Sequence, residues 1–354
     1  MRRFLLLLRS EVQLFRTALP IHLVAVLQPV IFFLLMSAIL VHPTFDLNVV
    51  QPTTPEGQAL LAAMGEVGSP IGLPYIDPIL LSAEEAGDPT LRQVIEVESR
   101  AGVPTAIQRF GLIDSNQVKN LRNRLTAAAL ILWNDALGDR AVTVVEQPWL
   151  PADVPYAVYY GLGMLPMVAF MAAIFIGGIL TAQDVEFGTI TEYRLAPSAP
   201  ALILGARLVR LALTGLLAAA TLLVAAGLRT GTWPASPGRV GLVLLPVVVT
   251  GAGWGITVGL LLRRSIPTLL VGLVTSLGGW ILGSAFGLAA GFGGPYETVS
   301  RLMPNTHAVE LLFPCAYGIT IGSPVRSAAF LAAVSLGTLA LTALVYHRQV
   351  LRKE

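Results

Sequence analysis

Charged side chains concentrate in one polar stretch of an otherwise apolar chain, residues 181–200. Only 12% of the 354 residues are charged, yet four charged residues fall within eleven positions here: Asp184, Glu186, Glu192 and Arg194. Exposed carboxylates on such a segment attract a basic surface on a partner and fix its orientation. The types and spacing of these residues therefore predict a docking element, which the rest of the chain must position.

Catalytic chemistry is disfavoured by the residue patterns that the chain lacks. A single cysteine, Cys315, allows neither an internal disulfide nor a thiolate metal cluster. The sequence has no GxxxxGK[ST] loop, so the chain cannot bind ATP in that way. Intramembrane hydrolysis would need paired acids, a Ser/His arrangement or metal ligands at depth, and none is present. We therefore expect a chain that is not an enzyme and that binds no cofactor, metal or nucleic acid itself.

Six apolar segments are long enough to cross a membrane. With 55% hydrophobic residues and a mean hydropathy of +0.72, the composition is typical of a polytopic membrane protein. A bilayer core takes roughly 20 helical residues, which spans 1 to 6 satisfy: 19–41, 157–182, 201–228, 240–262, 266–291 and 327–347. No span carries an acid or base in its centre, which disfavours an ion-coupled carrier. Energy for transport would then come from another subunit.

Basic residues beside the spans predict the orientation of the chain. Twelve fall on one side: Arg2, Arg3, Arg9, Arg16, Arg194, Arg207, Arg210, Arg263, Arg264, Arg348, Arg352 and Lys353. The short connections on the other side carry four: Arg229, Arg239, Arg301 and Arg326. The side richer in basic residues is normally the cytoplasm. Both termini are therefore expected there.

Residues 1–18 are predicted to form an amphipathic helix on the cytoplasmic membrane surface before span 1. On a helical wheel one side is apolar and the opposite side carries the arginines, with Leu5, Leu6 and Glu11 as exceptions. The alternative is an irregular start to span 1.

A long insertion between spans 1 and 2, residues 42–156, is predicted to be a small extracytoplasmic α+β domain. It carries fourteen acids against seven basic residues and is long enough for its own core. Asp114 or Ser115 could cap a helix through about Leu137, and residues 141–148 indicate a strand. The sequence does not identify a ligand for this domain.

Glycines repeat every four residues on two spans. They are Gly251, Gly255 and Gly259 on span 4, and Gly279, Gly283 and Gly287 on span 5. Small residues at this spacing let helix backbones approach closely. The pattern predicts tight helix packing, either within one chain or across a dimer.

The stretch QDVEFGTITEYRLAPSAP resembles the acidic Glu-x-Glu-x-Gly-Thr signature of type-2 ATP-binding-cassette (ABC) exporter permeases. The matching positions are Asp184, Glu186, Gly188, Thr189, Glu192 and Pro197, whereas Leu195 lies slightly later than usual and Ala196 replaces Ser or Thr. A second patch, RLMPNTHAVELLFPCAYG at 301–318, is similar to the segment before the last span of that family. The fold that the resemblance implies is an all-α polytopic membrane protein with six transmembrane helices, a surface helix and the inserted domain.

The resemblance also implies partners and roles. Such permeases are dimers of membrane subunits, homodimers or heterodimers, in which each subunit binds an ABC ATP-binding subunit that holds ATP and Mg. A cytoplasmic coupling helix, 183–197 here, transmits nucleotide-driven closure to the spans. The resemblance assigns coupling to Asp184, Glu186, Gly188, Thr189 and Glu192. Independently of it, a helix over 183–195 would align Asp184, Gly188 and Glu192 on one stripe.

By the same resemblance, residues 292–325 form short re-entrant helices near the outer face, and spans 2 and 5 of both subunits border the transport route. The re-entrant element includes Met303, Pro304, His307 and Glu310. For His307 and Glu310, an i, i+3 hydrogen-bonded pair competes with a substrate contact.

Three function classes follow. We expect the permease subunit of an ATP-driven exporter in a bacterial inner membrane; the apolar spans, with Trp254, Trp280 and Phe286, suit a lipid-like or amphipathic drug-like substrate. The main alternative is a membrane sensor or scaffold whose domain at 42–156 binds a ligand or envelope partner. An intramembrane enzyme is the weakest reading.

Overall fold

A computed structural model gives the architecture of the chain. It describes residues 2–17, 19–40, 45–68, 74–88, 91, 93–100, 103–110, 115–137, 156–195, 200–283, 294–318, 320 and 322–351. The chain divides into two compact units. The first comprises residues 1–39 and 154–354 and the second residues 40–153, and each is considered by itself.

Helices dominate the described residues. They are α1 Arg2–Thr17, α2 Leu19–Leu40, α3 Pro55–Glu66, α4 Ser115–Leu137, α5 Tyr156–Glu186, α6 Ile190–Leu195, α7 Pro200–Thr230, α8 Pro237–Leu262, α9 Ser265–Ile281, α10 Gly294–Ser300, α11 Pro304–Tyr317 and α12 Pro324–Leu351. Among these residues, five helices are long and apolar enough to cross a membrane, namely α2, α5, α7, α8 and α12. The structure therefore indicates a multi-pass membrane protein, as the composition predicts.

The predicted fifth span, residues 266–291, differs from the others. Helix α9 there has 17 residues, ends at Ile281 and is apolar but shorter than the five candidate spans. Residues 284–291 lie outside the described part of the chain. A sixth crossing therefore stays a prediction.

Helix α5 is the centre of the first unit. It is apolar along nearly its whole length, and most of its side chains are buried against α7, α8 and α9. A helix that is apolar on every side needs neighbours all round it. A displacement of α5 would therefore disturb its contacts with α7, α8 and α9.

The glycines of span 4 make the contact between α5 and α8. A Cβ atom placed on Gly255 would lie 2.5 Å from the carbonyl oxygen of Ile174, and one on Gly259 would lie 2.6 Å from that of Gly178. Gly251 faces the Phe170 carbonyl in the same way, at 2.6 Å. This packing lies within one chain, which resolves the question that the spacing leaves open for span 4.

The glycines of span 5 pack differently. A Cβ atom on Gly283 would clash with the carbonyl oxygen of Gly279 and lie 2.6 Å from the Asn305 Cβ atom. Gly283 already follows the end of α9. Gly287 lies outside the described residues.

We expect Gly255→Leu to loosen the contact between α5 and α8. A side chain forced against backbone costs about 1–3 kcal/mol of the free energy of unfolding, and here the obstacle is a carbonyl that cannot turn away. Gly241→Leu is the matched control, because it is on the same helix with no atom within 4 Å of the added Cβ. Thermal unfolding in detergent should show a lower midpoint for Gly255→Leu only; equal midpoints for the two variants would contradict this packing.

The second unit contains a small sheet, as the sequence predicts. Its strands are β1 Phe45–Val50, β2 Ile76–Leu81, β3 Gln93–Arg100 and β4 Val103–Phe110, in the order β2-β1-β3-β4. Strands β3 and β4 are antiparallel, and the other pairs are parallel. Leu47, Val49 and Ile95 from the sheet pack with Leu60 and Met64 from α3 in the core.

One further helix of this unit matches its predicted bounds. Helix α4 ends at Leu137, as expected, whereas the strand predicted at 141–148 lies outside the described residues.

Candidate functional site

The acidic stretch forms a broken helix rather than a continuous one. Helix α5 ends at Glu186, a turn follows at residues 187–189, and α6 begins at Ile190. Gly188 has a φ of +78°, a left-handed conformation that glycine adopts without steric cost. The prediction of one continuous helix is therefore wrong for residues 183–195, and Asp184, Gly188 and Glu192 do not share one helical stripe. Residues 196 and 197, the end of the predicted helix, lie outside the described part of the chain.

Asp184 turns inward and pairs with an arginine of α7. Its carboxylate lies 2.5 Å from the Arg207 guanidinium, whose side chain is only 4% exposed. Thr189 donates a hydrogen bond to the same carboxylate at 3.1 Å. Arg207 also donates to Thr181, at 3.2 Å. Two of the predicted coupling residues, Asp184 and Thr189, are thus joined around one buried cation.

Tyr193 closes this cluster from α6. Its hydroxyl accepts a hydrogen bond from Arg207 at 2.9 Å, and its ring centroid lies 5.3 Å from the guanidinium carbon. Both contacts are favourable for a cation beside an aromatic ring. Burial raises the pKa of Tyr193, although the positive charge of Arg207 opposes the shift, so the hydroxyl stays protonated at neutral pH.

A second buried ion pair lies one turn further along α7. Arg210 contacts Glu11 of α1 with a nitrogen–oxygen distance of 2.8 Å, and both side chains are nearly inaccessible to water. Phe4 packs nearby, 3.7 Å from where a Cβ on Gly205 would stand. The N-terminal helix is therefore fixed to α7 by a charge pair as well as by apolar contact. That α1 lies on the membrane surface stays a prediction.

Glu186 serves a different contact. Its carboxylate accepts hydrogen bonds from the hydroxyl of Ser265 at 2.7 Å and from the Ser265 backbone N–H at 3.2 Å. Ser265 is the first residue of α9, where backbone N–H groups lack partners within the helix. An acid at this end of a helix is also favoured by the helix dipole. Glu186 thus joins the end of α5 to the start of α9.

The other side of the broken helix faces outward. Phe187 is 73% exposed and Leu195 is 81% exposed, large values for residues of this kind. Gly188 and Glu192 are exposed beside them. Within the described part of the chain, the Glu192 side chain has no hydrogen bond or ion pair. We call Phe187, Gly188, Glu192 and Leu195 the coupling face, after the role that the sequence predicts for this segment.

Sequence reasoning finds the acids but not their partners. It treats Arg207 and Arg210 only as markers of orientation, and it does not single out Tyr193. One signal is present in the sequence: on the helical wheel Glu11 does not fall on the polar side of the N-terminal helix with the arginines. This is the acid that pairs with Arg210.

The predicted re-entrant residues lie at the start of α11. Met303 precedes the helix, Pro304 is its first residue, and His307 is buried. The nitrogen Nδ1 of His307 is 3.8 Å from the Glu310 carboxylate, too far for a direct hydrogen bond. Ser327 joins them instead, 3.1 Å from His307 and 2.5 Å from Glu310. The expected direct pair is therefore a bridged one.

An apolar cavity of about 510 Å³ lies between α2, α5 and α9. Val24, Phe175 and Leu269 line it from the three helices, and Gln28 is the one polar residue among its described lining. Cavities of this volume and lining accommodate a drug-sized or acyl ligand. Two of its three walls are the helices of predicted spans 2 and 5.

Comparison with known proteins does not assign the chain to a family. No known protein family matches the chain, and no curated protein matches it either.

Proposed function

We propose that this chain is the permease subunit of an ATP-driven exporter of the type-2 ABC class. It would cross a bacterial inner membrane six times, with both termini in the cytoplasm, and would work with a second permease subunit. Each permease would bind a separate ATP-binding subunit, which supplies ATP and Mg. The domain at residues 42–156 would then lie outside.

The observation that carries this proposal is the coupling face. Two of its residues, Phe187 and Leu195, are large apolar side chains with almost no cover, and Glu192 adds an exposed carboxylate that has no ion-pair partner among the described residues. Exposed aromatic anchors with a nearby charge are typical of a protein interface. Beneath the face, Asp184, Arg207 and Tyr193 attach it to α5 and α7, so a partner that moves it would also move those two helices.

The cavity between α2, α5 and α9 supports a lipid-like or amphipathic substrate. Its walls are apolar, and charged side chains are absent from its described lining. A hydrophilic polymer would find no polar groups there except Gln28. We infer that the same helices border the transport route.

Glu192→Lys tests the proposal more cleanly than a change at Glu186, because Glu186 also holds Ser265. We expect an ATPase to co-purify with the wild-type chain from native membranes and to be lost with Glu192→Lys. The matched control is Glu66→Lys, which makes the same charge change at an exposed acid of the other unit. If folded wild type never captures an ATPase, the exporter proposal fails. Ligand binding by residues 42–156 without ATP use would favour a sensor instead.

A further inference from the structure

A second, smaller cavity lies inside the first unit, among α5, α8, α9, α11 and α12. Its volume is about 220 Å³, and it is separate from the cavity that α2 lines. An engineered cavity of about 150 Å³ holds a benzene molecule. By that measure the present cavity has room for roughly ten non-hydrogen atoms.

Most of the cavity wall is apolar. Phe170, Trp254 and Met303 contribute large side chains, and Gly279 leaves the space open. Charged residues are absent from the described lining. Burying an uncompensated charge in such surroundings is costly, so the geometry fits a neutral occupant.

Three threonines in the wall already use their hydroxyl hydrogens within their own helices. Thr250 donates to the Pro246 carbonyl at 2.8 Å, and Thr275 donates to the Val271 carbonyl at 2.7 Å. Thr338 does the same one turn back on α12, at 2.8 Å. These residues therefore leave the cavity without a free hydroxyl donor.

Asn305 and Trp254 are the exceptions. Asn305 is only 6% exposed and lines the cavity, and among the described residues its side-chain amide has no hydrogen-bond partner. Within the same described residues, the Trp254 indole N–H is buried in this wall without an acceptor. A buried donor without an acceptor costs about 1–3 kcal/mol, so donors that line a cavity indicate an acceptor group to bind there. The absence of a side chain at Gly283 makes room for Asn305, because an added Cβ atom would lie 2.6 Å from the Asn305 Cβ atom.

The backbone favours one kind of polar group. Asn305 is the second residue of α11, a helix of 14 residues whose N-terminus lies at the cavity. Pro304 has no backbone N–H, and the Thr306 N–H already donates to the Met303 carbonyl at 3.1 Å. The dipole at this helix N-terminus still attracts hydrogen-bond acceptors. The Asn305 amide N–H groups point to the same preference.

We propose that this cavity is a binding site for a neutral molecule with an apolar body and a carbonyl group, whose oxygen accepts a hydrogen bond from Asn305. The carbonyl could belong to the ester of a membrane lipid or to a small free ketone or ester, because both present the same chemistry. The site lies within one chain, and its occupation does not rest on the proposed transport function.

The test uses a diazirine-bearing alkyl ketone of about ten non-hydrogen atoms and the matched diazirine alkane, each added to the purified full-length chain in detergent. After photolysis, mass spectrometry maps the labelled peptides. We expect the ketone to label peptides of α8 and α11 about tenfold more than the alkane, as the loss of one buried hydrogen bond implies. Equal labelling by the two probes, or none in these helices, would overturn the site and leave a water-filled or non-selective void.

Two variants sharpen the test. Asn305→Leu keeps the side-chain size and should reduce ketone labelling to the level of the alkane. Thr221→Val is the control, because its hydroxyl is committed in the same way to the Leu217 carbonyl at 2.8 Å and it lies on α7, outside the cavity lining, so its loss should not change labelling. Should Asn305→Leu fail to fold, the ketone-to-alkane ratio in the wild type still decides the outcome. Native mass spectrometry separates the sources: a co-purifying ester lipid identifies the membrane, and its absence with positive labelling identifies a free ligand.

Discussion

Replacing Arg207 with methionine is expected to lower the free energy of unfolding of the first unit by about 3 kcal/mol. Removing one member of a buried ion pair costs about 3–5 kcal/mol, because the remaining charge is left in low dielectric. The lower end applies here, because water still reaches part of Asp184, whose side chain is 18% exposed. The change also leaves the Tyr193 hydroxyl without its donor.

Denaturant titration in detergent micelles measures this effect. Arg229→Met is the matched control, since Arg229 is exposed on the same helix and its loss should cost less than about 0.5 kcal/mol. A double variant with Asp184→Asn gives a second criterion. When both partners are replaced, the cost should be smaller than the sum of the two single changes. Strict additivity would mean that the two side chains do not interact.

The second large effect concerns the coupling face. On the proposed function, Phe187→Ala should weaken capture of an ATP-binding subunit by at least about thirtyfold, because truncating a central aromatic anchor costs about 2 kcal/mol or more. Export should fall with it. The fold should be unaffected, because Phe187 is mostly exposed in the isolated chain and its loss leaves no buried cavity.

Leu228→Ala is the control for this variant. Leu228 is about as exposed as Phe187, but it lies near the far end of α7. Affinity is measured by titrating purified ATP-binding subunit onto each variant, with thermal unfolding as the check on folding. Unchanged affinity for Phe187→Ala in a complex that does form would remove the coupling face from the interface.

Hydrophobic length and glycine spacing predict a large part of the fold. Five predicted spans correspond to helices of similar bounds, because an apolar run of this length has few other stable conformations. The spacing of Gly251, Gly255 and Gly259 predicts a close contact, but not its partner. The identity of the partner helix, α5, depends on how the helices assemble, and the local spacing of glycines does not determine that assembly.

The candidate site is predicted less well, for a related reason. The acids of residues 183–197 are visible in the sequence, whereas the pairing of Asp184 with Arg207 depends on how α5 and α7 pack together. The break at Gly188 is also missed, because a glycine within a helical pattern is compatible with either a kink or a continuous helix. Asn305 gives no sequence signal, since its importance comes from the cavity beside it.

The pairing of Glu11 with Arg210 also constrains how the protein is made. The two residues are separated by about 200 positions, and at roughly 5–20 residues per second the ribosome adds Arg210 about 10–40 seconds after Glu11. During that interval the Glu11 carboxylate has no Arg210 to pair with. The ion pair can form only after α7 has been synthesised, so the contact that holds α1 to α7 is completed late.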